Sequence, residues 1–270
     1  MKADPFHPGE LEAQRLAGQI AAGHGIRDHL TEQHRFFFAA LPFVLVATLE
    51  PDGAPHARLL NGAPGFIRSP DPTTLELDGV TTLQAGEQVG LLGIDLATRR
   101  RNRANGVVRS NRQGVLQVTV IDSFGNCPKY ITPRALQQAA GMAQAPQEFV
   151  GLDAAARAIV ATSDTFFVAT SGGAHGVDIS HRGGPPGFAR IDGDTLVIPD
   201  FSGNRYFNTL GNLLIEPCAS LLFIDFAAGD VLTLRGEVSI AWSQREWRFH
   251  CAGGIHIKDA APRLGCHSII

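Results

Sequence analysis

The stretch IPDFSGNRYFNTLGN (residues 198–212) sets three Asn, two Gly, one Ser, one Thr and one Arg between two apolar runs. A plain surface turn needs two or three such residues, so this corner carries surplus hydrogen-bonding capacity. Ser202, Gly203, Asn204 and Arg205 make a turn, entered from a strand that ends at Pro199, whose backbone N–H groups and guanidinium are all donors. Donors converging on one point are the chemistry of an anion site. Asn208, Thr209 and Asn212 share a face if the segment is helical, and a helix N-terminus there would add donors of its own. The same residues also suit a capped helix whose Asn side chains satisfy local backbone.

Three further clusters carry chemistry. In VDISHRGGPPGF (residues 177–188), Ser180, His181 and Arg182 precede Gly183 and Gly184, where a backbone can approach closely beside a fixed cation. Without a ligand the same residues are a tight hairpin connection and a half-buried histidine. In VTVIDSFGNCPKYI (residues 118–131), Pro128 holds Cys127 extended and ends a strand. Asn126, Lys129 and Tyr130 then project from a stiff corner. Cys127 as a nucleophile would need a His base and an orienting partner, which the spacing does not supply. The run TRRRNR (residues 98–103) tempts a phosphate reading, although such runs are more often solvated faces. The tail FHCAGGIHIKDAAPRLGCH (residues 249–267) has His and Cys at spacings that fit no zinc pattern, and no metal is expected. No catalytic residue is assigned.

The elements that position these clusters follow from texture. At 270 residues and 44% hydrophobic, the chain has material for two domains with substantial cores. A net charge of −3 argues against a general nucleic-acid binder. Cysteines far apart, with no CxxC pair, argue against a disulfide frame. The run FFFAALPFVLVATL is too short to span a bilayer, and MKADPFHPGELEAQ has no apolar signal core. A cytoplasmic protein without membrane or nucleic-acid partners is expected. Leu11, Leu16, Ala17 and Ile20, then Ile26, Leu30, His34 and Phe38, recur at helical spacing and predict a helical lead over 1–41. Short β-forming runs broken by Gly, Pro and Asp predict one barrel or sandwich over 42–132 and another over 164–248. An Ala/Gln-rich helical connector is expected over 133–163, and an irregular tail over 249–270.

The two β regions are copies. VAT at Val46 falls on VAT at Val168, and GAPGF at Gly62 on GPPGF at Gly184, at one constant shift of 122 positions. LLGIDL at Leu91 falls on LLFIDF at Leu221, and Gly106 on Gly236, at a shift of 130. One insertion in the second copy explains the change. It lies within the polar corner quoted first, so a shared scaffold carries an unshared insert.

These blocks resemble the pyridoxamine 5'-phosphate oxidase-like FMN-binding split-barrel family, and its tandem two-barrel subgroup in particular. NCPKYI is similar to the family's element after the last barrel strand. SHRGGPPGF, IPDFSGNRYFNTLGN and SLLFIDFAAGDVLTLRGEV are similar to its successive strands and flavin-phosphate turn, and PFHPGELEAQ to the subgroup's lead. The resemblance implies a mainly β chain: two tandem FMN-binding split β-barrels with flanking helices, packed as a pseudo-dimer. It implies FMN where the barrels meet, held by Ser180, His181, Arg182, Pro199, Asn204, Arg205, Asn208, Thr209 and Asn212 of the second copy and Asn126, Lys129 and Tyr130 of the first. It implies an oxidoreductase with a small-molecule substrate or an electron donor such as NAD(P)H, in a chain able to form homodimers. No GxGxxG turn is present, so a nicotinamide would visit as a substrate. The stretch after Trp247 departs from the oxidase pattern, which leaves the substrate open. A non-catalytic flavin carrier or sensor, and a haem-binding or haem-degrading protein, are the alternatives. Each copy keeps one element and lacks the other: GNRYFNTLGN in the second, NCPKYI in the first, whose counterpart would be FHCAGG. One complete site per chain is therefore expected, where the two elements face each other.

Overall fold

The computed structural model describes residues 5–80, 82–137, 142–203 and 205–265. Helix α1 (Pro8–Leu16) starts at a capping box: His7 Nδ1 accepts from the Gly9 N–H and Glu10 accepts from the His7 N–H. Helix α2 (Glu32–Ala40) is capped by Thr31. The predicted helical lead is thus two short helices. Gly18 and Gly23, with φ of +62° and +66°, turn the chain between them, and Ile26 and Leu30 lie in that loop.

The first copy supplies β1 (Phe43–Leu49), β2 (Pro55–Asn61), β3 (Ile67–Arg68), β4 (Thr74–Asp78), β5 (Gln88–Asp95), β6 (Arg100–Arg112) and β7 (Val115–Gly125). The connector holds β8 (Leu136–Gln137), β9 (Gln147–Val150) and α3 (Ala154–Thr162). The second copy supplies β10 (Thr165–Ser171), β11 (Val177–Gly183), β12 (Arg190–Asp192), β13 (Thr195–Pro199), the inserted helix α4 (Asn208–Ile215), β14 (Cys218–Asp225), β15 (Asp230–Ala241) and β16 (Glu246–Ile257), before β17 (Arg263–Leu264). One sheet runs β2-β1-β5-β6-β7-β4-β3 and the other β11-β10-β14-β15-β16-β13-β12. The second order is the first with corresponding strands substituted, and among the described residues no strand pairing mixes the two sets. Even the irregularities repeat: the ladder slips at Asn105/Gly106 in one copy and at Arg235/Gly236 in the other. A Cβ at either glycine would stand 2.1 Å from a carbonyl of the facing strand. The chain is mainly β, two split barrels with flanking helices.

Two expectations from the sequence are corrected here. The connector is helical only in α3, because β9 instead extends the second sheet along β16. The tail is regular through Ile257. Gly253 and Gly254 interrupt the apolar alternation for a packing reason: their Cβ atoms would lie 2.4 Å from Phe149 O and 2.3 Å from Thr233 O. Residues 266–270, with Cys266 and His267, lie outside the described part. Among the described residues no helix is long and apolar enough to cross a membrane.

Three cores hold the molecule together. Val44, Val46, Leu91 and Leu75 fill the first barrel, and Phe166, Val168, Leu221 and Trp247 the second. The alternate residues of the same strands, Leu45, Leu92, Phe167, Leu222 and Ile179, form a third core between the barrels. Strands β1 and β10 are therefore buried on both faces, which explains their unbroken apolar runs. Gly90 lets the barrels close: a Cβ there would meet Val177 O at 2.9 Å. Because Leu222 belongs to the shared core, Leu222→Ala is expected to destabilise the chain by about 2–5 kcal/mol, as much as Leu221→Ala inside the barrel. Urea unfolding measures both; a loss at Leu222 of only a few tenths would mean loosely docked barrels.

Candidate functional site

Arg101 and Arg103 are two apart on β6, so both side chains leave the same face of the strand. That face meets β11, the edge strand of the other sheet. Arg103 is 3% exposed; its guanidinium donates to Asp178 Oδ2 at 2.7 Å and to Ser180 Oγ at 2.6 Å. Arg101 donates to the Cys127 carbonyl and to His181 Nδ1, both at 2.7 Å. A guanidinium has no lone pair to offer, so His181 accepts at Nδ1 and carries its proton on Nε2. That Nε2 is buried with no partner among the described residues, as are Arg101 Nε, Arg103 Nε and Arg182 Nε. Arg182 makes no ion pair at all among them.

The charges are held out of water at a cost. Burial, and then Arg103 and Arg182, lower the Arg101 guanidinium to about 10. Burial, with Arg101 and Arg182 adding to it, pushes the His181 imidazole well below its usual range, which keeps it neutral. Burial raises the Asp178 carboxyl, against the opposing pull of Arg103. Cations in excess of their carboxylates in one desolvated place are an anion site in waiting.

These groups line an open-mouthed cavity of about 100 Å³, bounded on the other side by the corner between β13 and α4. Phe207, at φ +60°, gives α4 no side-chain cap, and the first residues of the helix face the cavity. Its leading N–H groups are therefore donors without a helical acceptor. Thr209 donates to Ser180 Oγ at 2.9 Å. Asp200, at the mouth, is paired to Arg245 at 2.7 Å. Helix α1 clamps α4 from outside at a glycine crossing, where a Cβ on Gly9 would stand 2.3 Å from Gly211 O. Glu10, 5% exposed, accepts from Asn208, the first residue of α4.

The structure brings Ser180, His181, Arg182, Arg205, Asn208, Thr209 and Asn126 together around this cavity. Asn204 lies outside the described residues. Pro199 ends β13 one residue before the lining begins. Asn212 turns away, hydrogen bonded to His7 Nε2 at 2.9 Å and Thr170 Oγ1 at 3.0 Å. Lys129 is exposed. Tyr130 stays outside the lining but stacks on Phe201 at 5.3 Å and donates to the Ser202 carbonyl, so the NCPKYI corner does touch the polar corner. Of the run read from the sequence as a solvated face, Arg103 is instead buried and Arg101 half-buried, while Thr98, Arg99 and Arg100 are exposed. The i, i+2 spacing of Arg101 and Arg103 on a strand was the available signal. The counterpart of NCPKYI also moves. Gly125 pairs with Asn102 as His256 pairs with Leu232, so the matching segment starts at Ile257 rather than at FHCAGG.

A model of the pyridoxamine 5'-phosphate oxidase family matches residues 30–141 and 152–251, and the chain belongs to that family. No curated protein matches the chain significantly. Among solved structures, a variant of HupZ from Group A Streptococcus is 15% identical, covering 36% of this chain and 98% of that chain at a TM-score of 0.29. MrkH of K. pneumonia in complex with c-di-GMP is 10% identical, covering 80% and 78% at a TM-score of 0.22. Both likenesses are too slight to carry an inference about this chain.

Burial raises the Glu10 carboxyl from 4.5 to about 7, despite hydrogen bonds from His7 and Asn208 that favour its charge. The folded state therefore prefers the protonated acid. The stability tied to that proton is fully present below the unfolded value of 4.5 and is lost as pH rises through about 7. Glu10→Gln has no proton to lose. Between pH 4.5 and 8 its stability should shift relative to the wild type by roughly 3 kcal/mol in the variant's favour. Urea melts across that range give the difference directly; a flat difference would refute it.

Proposed function

We propose that the chain is an FMN-binding flavoprotein of the tandem two-barrel kind and an FMN-dependent oxidoreductase, with the FMN phosphate in the arginine-lined cavity. The observation that carries the reading is the surplus of unpartnered donors. Among the described residues, Arg101 Nε, Arg182 Nε and the His181 Nε2–H are buried N–H groups with nothing to receive them. Ser180 Oγ already accepts from Arg103 and Thr209, which leaves its own hydrogen to donate. Apart from Asp200, which Arg245 pairs at the mouth, the charged side chains at the wall offer protons, and a phosphate dianion offers only acceptors. A cavity of about 100 Å³ that opens to solvent has room for a phosphate.

Bound FMN would supply the redox chemistry itself. The chain's own residues do the rest. Arg101 and Arg182 fix the anion from two sides of the barrel junction, and Arg205 reaches it from the corner. The exposed first turn of α4 adds backbone donors and the positive end of its dipole. His181 holds its proton at Nε2 and acts as a neutral donor. Phe201, stacked on Tyr130, limits water at the mouth.

The same register argument supports one site per chain. Val231 and Thr233 stand where Arg101 and Arg103 stand in the other copy. Leu59 and Leu60 stand where His181 and Arg182 do. Leu59 belongs with Leu136, Ala260 and Ala261 to the apolar core between the barrels, and Asn61 donates to the Ala260 carbonyl at 2.7 Å. Apolar side chains stand where the other copy has arginine and histidine.

Arg101→Ala, Arg182→Ala and Arg205→Ala are each expected to weaken FMN at least about tenfold, since a charge-assisted contact is worth ~1.5–3 kcal/mol. Arg58→Ala, at the position matching Ser180, should leave affinity unchanged. Titration of apo-protein should saturate at one FMN per chain. Two FMN per chain, or unaltered affinity in folded Arg101→Ala and Arg182→Ala, would overturn the assignment. Anaerobic titration of the loaded protein with NADH and NADPH then separates an oxidoreductase, which bleaches, from an inert carrier.

A further inference from the structure

Behind the Arg103–Asp178 pair lies a second cavity, of about 410 Å³, within the usual range of small-molecule sites. Its character is opposite to the first. Glu10, Asp122 and Asp178 line it, and no Arg or Lys does. Its apolar walls include Phe6, Phe124 and Ile26. His7 sits at one end, stacked on His175 at 5.0 Å. The His7 ring accepts at Nδ1 from Gly9 and meets the Asn212 carbonyl oxygen through Nε2, so it is a neutral imidazole.

Asp178 is 4% exposed, and only its Oδ2 is used by Arg103. Among the described residues its buried Oδ1 has no partner at full hydrogen-bonding geometry, though the Asn105 side chain and the Ile179 amide favour its charge from nearby. Asn105 also lines this cavity, and its Oδ1 is a second buried acceptor without a partner among the described residues. Leaving such acceptors dry is costly unless a donor arrives. Acidic side chains, with no Arg or Lys in the lining, disfavour an anion. A metal ion would want its oxygens and imidazoles gathered, and among the described residues no group of three or more His, Cys, Asp or Glu is placed to hold one. Aromatic walls with acceptors at one end fit a cation that carries an apolar body.

We propose that this cavity is a binding site for an organic cation, a protonated amine or amidinium on a compact apolar frame, whose N–H groups meet Asp178 Oδ1 and Asn105 Oδ1. The proposal does not depend on what fills the first cavity. Asp178 then serves two cations at once, Arg103 through one oxygen and the ligand through the other, and two unpartnered acceptors gain donors.

Benzamidinium is the probe, with benzyl alcohol as its neutral and benzoate as its anionic counterpart. Protein-observed NMR at low salt should show saturable benzamidinium binding below about 1 mM, an ordinary efficiency for a ligand of this size. The shifted resonances should come from α1, β7 and the β10–β11 turn. Benzyl alcohol should bind at least tenfold more weakly and benzoate not at all. Asp178→Asn should abolish the preference for the cation. Because that change can disturb Arg103, Ile121→Trp, at the half-exposed rim, provides a second arm: it should block binding while the thermal midpoint is kept. Equal binding of the three probes, no saturation by about 10 mM benzamidinium, or binding that survives Ile121→Trp would each overturn the proposal.

Discussion

Three guanidinium groups, Arg101, Arg103 and Arg182, stand in poor contact with water along the seam between two barrels, and that unfavourable concentration of like charge is the constraint the site is built around. Burial disfavours each of them, and only Asp178 among the buried carboxylates on β11 is bonded to one. Neither barrel alone could make this arrangement, because the arginines of β6 find their carboxylate and hydroxyl on β11 of the other copy. The apolar core between the barrels brings the strands within reach, and the charged seam lies at its edge. A buried ion pair of this kind is weak evidence for added stability. Its effect here is to orient: Arg103 directs Ser180 and Asp178, and Arg101 sets the tautomer of His181.

The seam also separates two environments of opposite sign. Among the described residues, several buried N–H groups on one side lack an acceptor, and two buried oxygens, Asp178 Oδ1 and Asn105 Oδ1, on the other lack a donor. Asn208 borders both. Backbone strain gathers in the same place. Tyr130, Arg205 and Phe207 all have positive φ, at 64°, 67° and 60°, although none is a glycine. Each turns the chain sharply where the two copies touch.

Much of this was legible in the sequence, for reasons that differ by element. The duplication could be read because apolar strands buried on both faces keep their runs, as VAT and LLGID/LLFID do. The polar corner could be read because its insertion has no counterpart. Arg101 and Arg103 were not distinguishable from solvated arginines without the strand face to which they belong. The end of the second barrel was hidden by Gly253 and Gly254, which serve a close backbone approach and so erase the alternation that marks a strand. Asn212 shares a helix with Thr209, but the N-terminal lead takes it over through His7. Sequence spacing gives the helix face and is silent on what a segment two hundred residues away will lay against it.

That last contact has a consequence in time. The bond from His7 to Asn212 joins residues 205 apart in the chain. At a synthesis rate of roughly 5–20 residues per second, α1 waits on the order of 10–40 s for the helix it clamps. Throughout that interval the first barrel can form its own interior, while the face it will share with the second is bare. Helix α1 is made well before α4 and is among the last elements to find its place, and the cavity wall formed by α4 is finished only when α1 returns to it.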